Sequence, residues 1–263
     1  MNCIICNSKM TYFFSKVFNY YDLKNVDYWK CVNCGFTASK THYDMSQEGW
    51  EKLNLNFHND NNLRTDNPYN RNQRYFNQAQ MIFLMKRFNL IEKGLYLDWG
   101  SGTGEVSSLS KNLYKISIYN FDKYIRPSLN QIFETELKSR NYKLVICNAV
   151  FEHVYNRESL DEIESFVSEN GCFGIHTLIP ESVPNDAEWM YLLPVHCSFH
   201  TNNSMNILIK QWKYTCSIYN EYSKMWVLFK NEPNEIERKV KHLNNSLGWD
   251  YFKFKIGFMD YWK

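Results

Sequence analysis

A glycine-rich turn in the first half of the chain has the residue types to bind a nucleotide-like molecule. Residues 95–104 read LYLDWGSGTG, an apolar run that ends in Asp98 and continues into Gly100, Gly102 and Gly104. Glycine allows positive φ and leaves no Cβ between backbone and ligand, so a turn with glycine at alternate positions permits close approach. The spacing differs from the dinucleotide fingerprint GxGxxG, and the Lys-Ser/Thr pair of a phosphate-binding loop is missing. The alternative is an ordinary glycine loop between a strand and a helix.

The pattern Asp-x-Gly-x-Gly-x-Gly resembles motif I of class I S-adenosylmethionine-dependent methyltransferases, and the resemblance covers roughly residues 95–230. It implies an α/β fold with a doubly wound, Rossmann-like sheet and S-adenosylmethionine as cofactor. By resemblance, Asp98 holds the glycine loop and faces the methionine amino group, and Asp122 at the end of the second strand binds the ribose hydroxyls, for which a carboxylate is suited. The cofactor-binding residues implied in this way are Asp98, Gly100, Ser101, Gly102, Gly104, Asp122, Asn148 and Ala149.

A second motif follows the fourth strand of the expected sheet. Residues 148–154 read NAVFEHV, which is similar to the Glu-His-Val signature of many methyltransferases that act on small molecules. This similarity places Asn148 and Ala149 beside the sulfonium. The family's third strand, with its adenine-contacting Asp or Asn, is not recognisable in residues 126–140. The residues that contact adenine are therefore unassigned, and we expect this region to be compressed.

Four histidines are candidates for the chemistry on the acceptor. Methyl transfer from a sulfonium is an in-line displacement for which the protein mainly aligns donor and acceptor, and a base helps when the acceptor is a hydroxyl. His153 and His176 follow predicted strands at the sheet edge where ligands bind in open α/β folds, and His196 and His200 lie in residues 194–201. We expect all four to converge on one pocket, with His176 as the first candidate for the base and His153 and His200 next.

Two other interpretations of these histidines stay open. Any single one can be a hydrogen-bonded structural residue. A catalytic metal could also be bound by His196, His200 and His176, although the i, i+4 spacing of the first two needs a helix and Pro194 favours a loop.

Further side chains are expected to line the acceptor pocket. They are His196, Tyr191, Arg74 and His58, with Trp189 and Arg71 as additional candidates. Aromatic walls with arginine suit a sugar or an anionic, phosphate-bearing molecule, while each residue taken singly could equally be core or surface packing. The resemblance to bacterial sugar methyltransferases predicts O-methylation of a small polar acceptor. Nucleotide-linked sugars, surface-polysaccharide precursors and phosphate- or phosphoramidate-bearing metabolites all fit.

Four of the eight cysteines form two C-x-x-C pairs near the N-terminus, Cys3 with Cys6 and Cys31 with Cys34. Two such pairs can bring four thiolates to one tetrahedral Zn²⁺, and a site made only of protein thiolates has no open position and is structural. A ribbon this short buries too little apolar surface to fold alone, so the metal would stabilise it. Redox pairs or disulfides are the alternatives, disfavoured because neither an export signal nor a thioredoxin-like unit is recognisable.

Hydrophobic periodicity predicts the elements that position these residues. Strands alternating with helices indicate a parallel sheet. Helices are predicted at residues 46–54, 73–88, 106–114, 159–168, 205–212 and 234–245. Strands are predicted at 10–14 and 27–30 in the ribbon and at 95–98, 116–121, 143–148 and 171–176, with an antiparallel pair at 217–219 and 224–230. The predicted domains are a zinc ribbon (1–40), a linker with a helix (41–72), the S-adenosylmethionine-binding domain (73–232) and a C-terminal helical extension (233–263).

Composition narrows the function classes. A net charge of +2, from 30 basic and 28 acidic residues in a chain of 263, gives no broad basic field and argues against a nucleic-acid partner. The N-terminus has no signal-peptide pattern, and the apolar runs fall short of the about 18 residues of a membrane span. We therefore expect a cytoplasmic protein without membrane insertion whose partner is a small-molecule acceptor. The sequence does not indicate an oligomeric state.

Two other functions remain as alternatives. A ribosomal or transfer RNA methyltransferase could use the zinc ribbon to hold RNA, but the ribbon's lysines are dispersed rather than clustered. A non-catalytic zinc-ribbon protein on a methyltransferase fold is disfavoured by the intact Asp98, glycine turn and Asp122.

Overall fold

The computed structural model describes residues 1–60, 68–125 and 129–260. Parts of the predicted linker, of the compressed region and of the C-terminal extension (residues 61–67, 126–128 and 261–263) lie outside the described residues. The strands are β1 (Met10–Phe18), β2 (Lys24–Cys31), β3 (Thr37–Ser39), β4 (Leu95–Trp99), β5 (Tyr119–Phe121), β6 (Tyr142–Asn148), β7 (Val167–His176), β8 (Ser198–Phe199), β9 (Cys216–Asn220), β10 (Met225–Phe229) and β11 (Lys253–Ile256). The helices are α1 (Lys40–Tyr43), α2 (Gln47–Asn59), α3 (Pro68–Arg87), α4 (Glu105–Tyr114), α5 (Arg157–Ser165), α6 (Asn202–Gln211) and α7 (Pro233–Leu247).

The larger sheet carries the predicted α/β fold. Its strand order is β11-β9-β10-β7-β6-β4-β5, with β5, β4, β6 and β7 parallel and the remaining pairs antiparallel. Successive residues of one strand, such as Leu144 and Val145, belong to two different apolar clusters, as expected when side chains alternate between the faces of a sheet. One cluster contains residues of α3, α4 and α7, and the other contains residues of α5 and α6. The sheet is therefore covered on both faces, which confirms the doubly wound fold.

Beyond β5, at the edge of the larger sheet, the described residues form no further strand, in agreement with the missing third-strand pattern in the sequence. The second strand was predicted from residue 116 but begins only at Tyr119. A single parallel bridge joins Asn120 to Gln131 at the place where a further strand would lie. Residues 130–132 are held there by main-chain hydrogen bonds of 2.9 Å on both sides of Asn120.

The N-terminal ribbon forms a second, antiparallel sheet of order β1-β2-β3-β8. Strand β8 comes from residues 194–201, far along the chain, and pairs Phe199 with Thr37 and Ser198 with Ala38. The ribbon sheet thus extends beyond the first forty residues. A two-residue strand this distant in sequence leaves no periodic signal, so the pairing could not be predicted.

Helix α2 connects the ribbon to the remainder of the molecule. Ser46 caps its N-terminus by accepting a hydrogen bond from Gly49 N–H. Trp50 and Leu53 bury its apolar face against ribbon strands and the segment that leads to β8. The helix runs beyond the predicted end at residue 54, which places His58 on its last turn.

The C-terminal extension is helical only in part. Helix α7 covers the predicted residues, but β11 then pairs antiparallel with β9 at the edge of the larger sheet. Of the helices that the structure describes, none is both long and apolar enough to cross a membrane.

Candidate active site

The glycine turn leaves β4 and enters α4 with three residues in the left-handed region. Gly100, Gly102 and Gly104 have φ values of +72°, +56° and +81°. A Cβ on Gly100 would lie 2.5 Å from Val150 Cγ2, and one on Gly104 would lie 2.9 Å from Asn120 Nδ2. A Cβ on Gly102 would have nothing within 4 Å. Packing therefore requires glycine at positions 100 and 104, while Gly102 faces open space that a ligand can fill.

The Asp122 carboxylate holds this turn against the end of β5. Its Oδ2 accepts a 2.8 Å hydrogen bond from Gly102 N–H, and its Oδ1 accepts bonds from Tyr124 N–H and Ile125 N–H at 2.9 and 2.8 Å. Each carboxylate oxygen has two lone pairs. A carboxylate that makes three such bonds can still accept from one more donor, such as a ribose hydroxyl.

Asp98 lies at the end of β4 with its side chain almost completely buried, at 1% exposure. Its Oδ1 has no hydrogen-bond partner in the part of the chain that the structure describes. Burial, followed by the nearby Asp122 charge, raises the pKa of Asp98 to about 8. A buried carboxyl with an unpartnered oxygen is suited to a cationic group of a ligand, such as an ammonium.

Other unpartnered polar atoms lie at the same strand ends. They are Ser101 Oγ in the turn and both side-chain amide atoms of Asn148, none of which bonds to another described residue. Asn148 ends β6 and is in register with His176 on β7. The next residue, Ala149, is exposed and has a φ of +53°. The predicted cofactor residues therefore come together at one edge of the sheet with unused hydrogen-bonding capacity.

A cluster of imidazoles and one carboxylate follows β6. His153 lies in a short 3-10 helix, Phe151–His153, and its ring centroid is 5.0 Å from that of His196 and 5.7 Å from that of His58. One ligand atom from each of Glu152, His153 and His196 lies within 4.8 Å of the others. Burial, then the neighbouring imidazoles, holds the pKa of His153 well below its usual range. The ring is therefore neutral at neutral pH.

Tyr191 fixes two members of this cluster. Its hydroxyl donates a 2.7 Å hydrogen bond to Glu152 Oε1, and its main-chain oxygen accepts a 2.7 Å bond from His196 Nδ1–H. A carbonyl can only accept, so the proton of His196 is on Nδ1 and the lone pair is on Nε2. Tyr191, predicted as a pocket wall, is thus a residue that orients Glu152 and His196.

His176 belongs to a different part of the site. Its Nδ1–H donates a 2.6 Å hydrogen bond to the main-chain oxygen of Lys224, in the turn between β9 and β10. Burial, then the nearby Arg74 charge, lowers the pKa of His176 to about 3. His176, with the Arg74 charge near it, therefore lies beside Asn148, whereas the ring of His153 contacts those of His58 and His196.

The expected convergence of all four histidines is wrong for His200. Its ring is 1% exposed and packs 5.0 Å from Phe36 and 5.4 Å from Phe151. The adjacent strand β8 joins the ribbon sheet and carries His200 into the apolar core. The alternative metal set of His196, His200 and His176 is not formed, because residues 194–201 form a loop and a two-residue strand rather than a helix.

Sequence reasoning did not assign a role to Glu152 or His42. Glu152 lies within the Glu-His-Val motif, so the sequence showed an acidic residue at this point of the chain. It did not indicate that Glu152 is buried, at 2% exposure. His42 is fully buried, and its Nε2–H donates a 2.9 Å bond to Pro194 O. This bond attaches α1 to the segment that carries His196.

The four N-terminal cysteines form a compact cluster. Their Sγ atoms lie within 4.8 Å of one another, with 3.6 Å between Cys3 and Cys34 and 3.4 Å between Cys6 and Cys31. All are free thiols, so the structure contains no disulfide in the ribbon. Four sulfurs at about 2.3 Å from a tetrahedral Zn²⁺ would be about 3.8 Å apart, which is close to the observed spacing. Main-chain N–H groups also point at Cys3 and Cys31 sulfurs, at 3.4 and 3.5 Å.

Comparisons with known proteins give one family. A family model described as a methyltransferase domain matches residues 62–215. The plantazolicin methyltransferase BpumL shares 12% identity, with 70% of this chain and 96% of that chain covered and a TM-score of 0.47. An S-adenosylmethionine-dependent methyltransferase from Thermotoga maritima shares 12% identity, with 69% of this chain and 100% of that chain covered and a TM-score of 0.41. Magnesium protoporphyrin IX methyltransferase from Synechocystis shares 14% identity, with 67% of this chain and 91% of that chain covered and a TM-score of 0.41. No curated protein matches the chain.

Proposed function

We propose that this chain, which belongs to the methyltransferase-domain family, O-methylates a small polar acceptor with S-adenosylmethionine. The observation that carries the proposal is the arrangement at the carboxyl ends of β4 and β6. There, a glycine turn with an unpartnered buried Asp98 is followed along the sheet by the Glu152–His153–His196 cluster.

The described residues fit the cofactor. Asp98 would bind its ammonium group, and Asp122 would bind the ribose hydroxyls. The open space beside Gly102 would accommodate the methionine part of the cofactor. The amide of Asn148 would complete the polar lining. When bound, S-adenosylmethionine supplies an electrophilic methyl group on a sulfonium.

The acceptor would lie between the turn and the histidine cluster. Glu152 and His196 are held rigidly by Tyr191, so they can orient a hydroxyl with little loss of conformational entropy. The cluster around His153 would receive the hydroxyl proton as the oxygen attacks the methyl group. Arg74, beside His176, adds a positive charge that suits an acceptor bearing phosphate or another anion.

The four-cysteine cluster would hold a structural zinc. Its sulfur spacing and the two N–H···S contacts support this, since zinc thiolates commonly accept such outer bonds. The ribbon has a direct role in the proposed site, because its sheet includes β8 and its helix neighbour α2 supplies His58.

The experiment that tests the function is methyl transfer from labelled S-adenosylmethionine to a panel of nucleotide-linked sugars and phosphorylated polar metabolites. An RNA arm with ribosomal and transfer RNA is included. Label in a sugar or metabolite, with none in RNA, supports the proposal. Label in RNA alone would overturn the acceptor class.

A further inference from the structure

We propose that Glu152, His153 and His196 bind a divalent transition-metal ion, at a second metal site separate from the four cysteines. Each residue offers one ligand atom, and the three atoms lie within 4.8 Å of one another. Glu152 and His196 are 2% and 6% exposed, so the carboxylate and one imidazole are withdrawn from water. Binding of the ion would need only small movements of these side chains.

Two atoms of the cluster indicate that a ligand is required. Glu152 Oε2 and His153 Nδ1 are both buried and, within the described chain, neither has a hydrogen-bond partner. Buried polar groups are usually paired, and an unpaired carboxylate oxygen is especially costly. A cation bound by the cluster would offset the cost of burying these polar groups.

The surroundings of the other ligand atoms match those of a metal centre. Metal-binding imidazoles commonly donate their second N–H to a carbonyl or carboxylate, and ligating carboxylates are themselves hydrogen-bonded. His196 donates its Nδ1–H to Tyr191 O, so a metal ion would be bound through Nε2, the ring nitrogen that carries the lone pair. The Tyr191 hydroxyl donates to Glu152 Oε1, the oxygen opposite the unpartnered one. One tyrosine therefore supports two of the three ligands.

The donor set indicates the class of ion. Two imidazoles with one carboxylate suit Zn²⁺ and Fe²⁺, whereas Mg²⁺ and Ca²⁺ prefer oxygen ligands. Three protein ligands leave coordination positions open, in contrast to a four-thiolate site. A second imidazole neighbour, His58, lies beside His153.

The role of the ion rests on the proposed function, although its binding does not. An acceptor hydroxyl bound at the open position would have its pKa lowered by the metal, and its proton would pass to the adjacent His58 imidazole. The resulting alkoxide attacks the methyl group, and the sulfonium leaves as the neutral thioether.

The test uses full-length protein whose ribbon is already loaded with zinc, titrated with Co²⁺ as the probe. We expect one further equivalent to bind with visible d–d absorption but without the thiolate charge-transfer band of a cysteine site. Zn²⁺ should displace it and Mg²⁺ should not. The near-isosteric variant Glu152→Gln and the variant His196→Gln should weaken Co²⁺ binding by more than about tenfold, and Tyr191→Phe by about tenfold. The control His242→Gln removes an exposed histidine on α7 and should bind as wild type.

Two results would overturn the inference: no Co²⁺ bound by the protein whose ribbon is loaded with zinc, or equal Co²⁺ binding by wild type and Glu152→Gln. Circular dichroism shows whether each variant has folded. A variant that fails to fold is replaced by His153→Gln. Calorimetry with S-adenosylhomocysteine on the same samples separates the two proposals. Cofactor binding without Co²⁺ binding rejects only the metal site, whereas Co²⁺ binding without cofactor binding rejects the proposed function.

Discussion

Thr201 Oγ1 donates a 2.7 Å hydrogen bond to the carbonyl oxygen of Cys34, which ties the four-cysteine cluster to the segment that carries His196. Gly35 permits this approach, because its φ is +73° and a Cβ there would lie 3.3 Å from Thr201 Cγ2. A little further along, Ser39 N–H donates to Cys197 O at 2.8 Å. These two hydrogen bonds connect the ribbon to the segment that carries His196, so loss of the ribbon's structure should displace that histidine.

The first prediction follows from this connection. Cys31→Ser should abolish binding of the zinc proposed for the ribbon and lower methyl transfer by about 10²-fold, since small misplacements of catalytic groups cost that much. Affinity for S-adenosylhomocysteine should change little, because Phe121 O and the Asp122 carboxylate hold the glycine turn by hydrogen bonds. Zinc analysis, turnover and calorimetry measure the three quantities.

Cys216→Ala, which removes a thiol from β9, is the matched control and should keep the zinc. If Cys31→Ser is insoluble, removal of zinc from wild-type protein by a strong chelator gives the same comparison. Zinc-free, folded protein with wild-type turnover would contradict the prediction.

The second prediction concerns Gly102. Gly102→Ala should weaken cofactor binding by at least about tenfold, because the new Cβ occupies the open face of the turn. Gly248 provides a close control, since it also has a positive φ (+78°) and nothing within 4 Å of a Cβ. Both variants should lose about 1 kcal/mol of stability to backbone strain. Equal cofactor affinity in the two variants would show that the space at Gly102 is not the binding site.

The third prediction is a pH dependence that originates at Asp98. Because its pKa is raised to about 8, Asp98 is mostly protonated at pH 7. Its titratable neighbours are Asp122 and the buried Cys147 thiol. The carboxylate is the form that pairs with the ammonium group of the cofactor. Affinity should therefore rise from pH 6 to pH 8, with release of close to one proton per chain at pH 7. Calorimetry in buffers of different ionisation enthalpy measures that release, and binding without proton release would contradict it.

The same group affects stability with a definite sign. Between its unfolded pKa of about 4 and its folded pKa of about 8, the folded protein binds more protons than the unfolded chain. The free energy of unfolding due to this group consequently falls as pH rises through that window. Asp98→Asn should make the cofactor-free protein more stable at pH 8 by about 1–3 kcal/mol. The gain is limited because the new asparagine amide would be buried without hydrogen-bond partners. Denaturant unfolding at pH 5 and pH 8 should show a higher free energy of unfolding for Asp98→Asn than for wild type only at pH 8.

The fourth prediction concerns His153. His153→Gln should lower turnover by about 10²–10⁴-fold and leave cofactor affinity nearly unchanged, because the cluster acts on the acceptor. His242→Gln on the surface of α7 is the control. Should His153→Gln transfer methyl groups at the wild-type rate, alignment alone would drive the reaction.

Much of the fold could be predicted because its signals are local. The apolar run before Asp98, the helix after Gly104 and the antiparallel pair near the C-terminus all have clear periodicity, and each was found near its predicted bounds. The glycine spacing also predicted the turn in which Gly100, Gly102 and Gly104 have positive φ. Conformations of that kind depend on residues adjacent in sequence.

The arrangement of the histidines could not be predicted, because it depends on contacts between distant segments. The pairing of β8 with β3 buries His200 among aromatic rings and leaves His196 at the cluster. The longer α2 brings His58 to His153 across nearly a hundred residues of chain. No spacing rule contains that information, and the same holds for the burial of Glu152.

The turn from Asp98 to Gly104, together with Asp122, is the proposed binding site for S-adenosylmethionine. Titration calorimetry of the zinc-loaded, full-length protein with S-adenosylhomocysteine tests it most directly. We expect saturable binding of one molecule per chain, weakened in Asp122→Ala by about 1–3 kcal/mol through lost hydrogen bonds to a charged group. Folded wild-type protein that gives no binding heat at pH 8 with either S-adenosylhomocysteine or S-adenosylmethionine would contradict it.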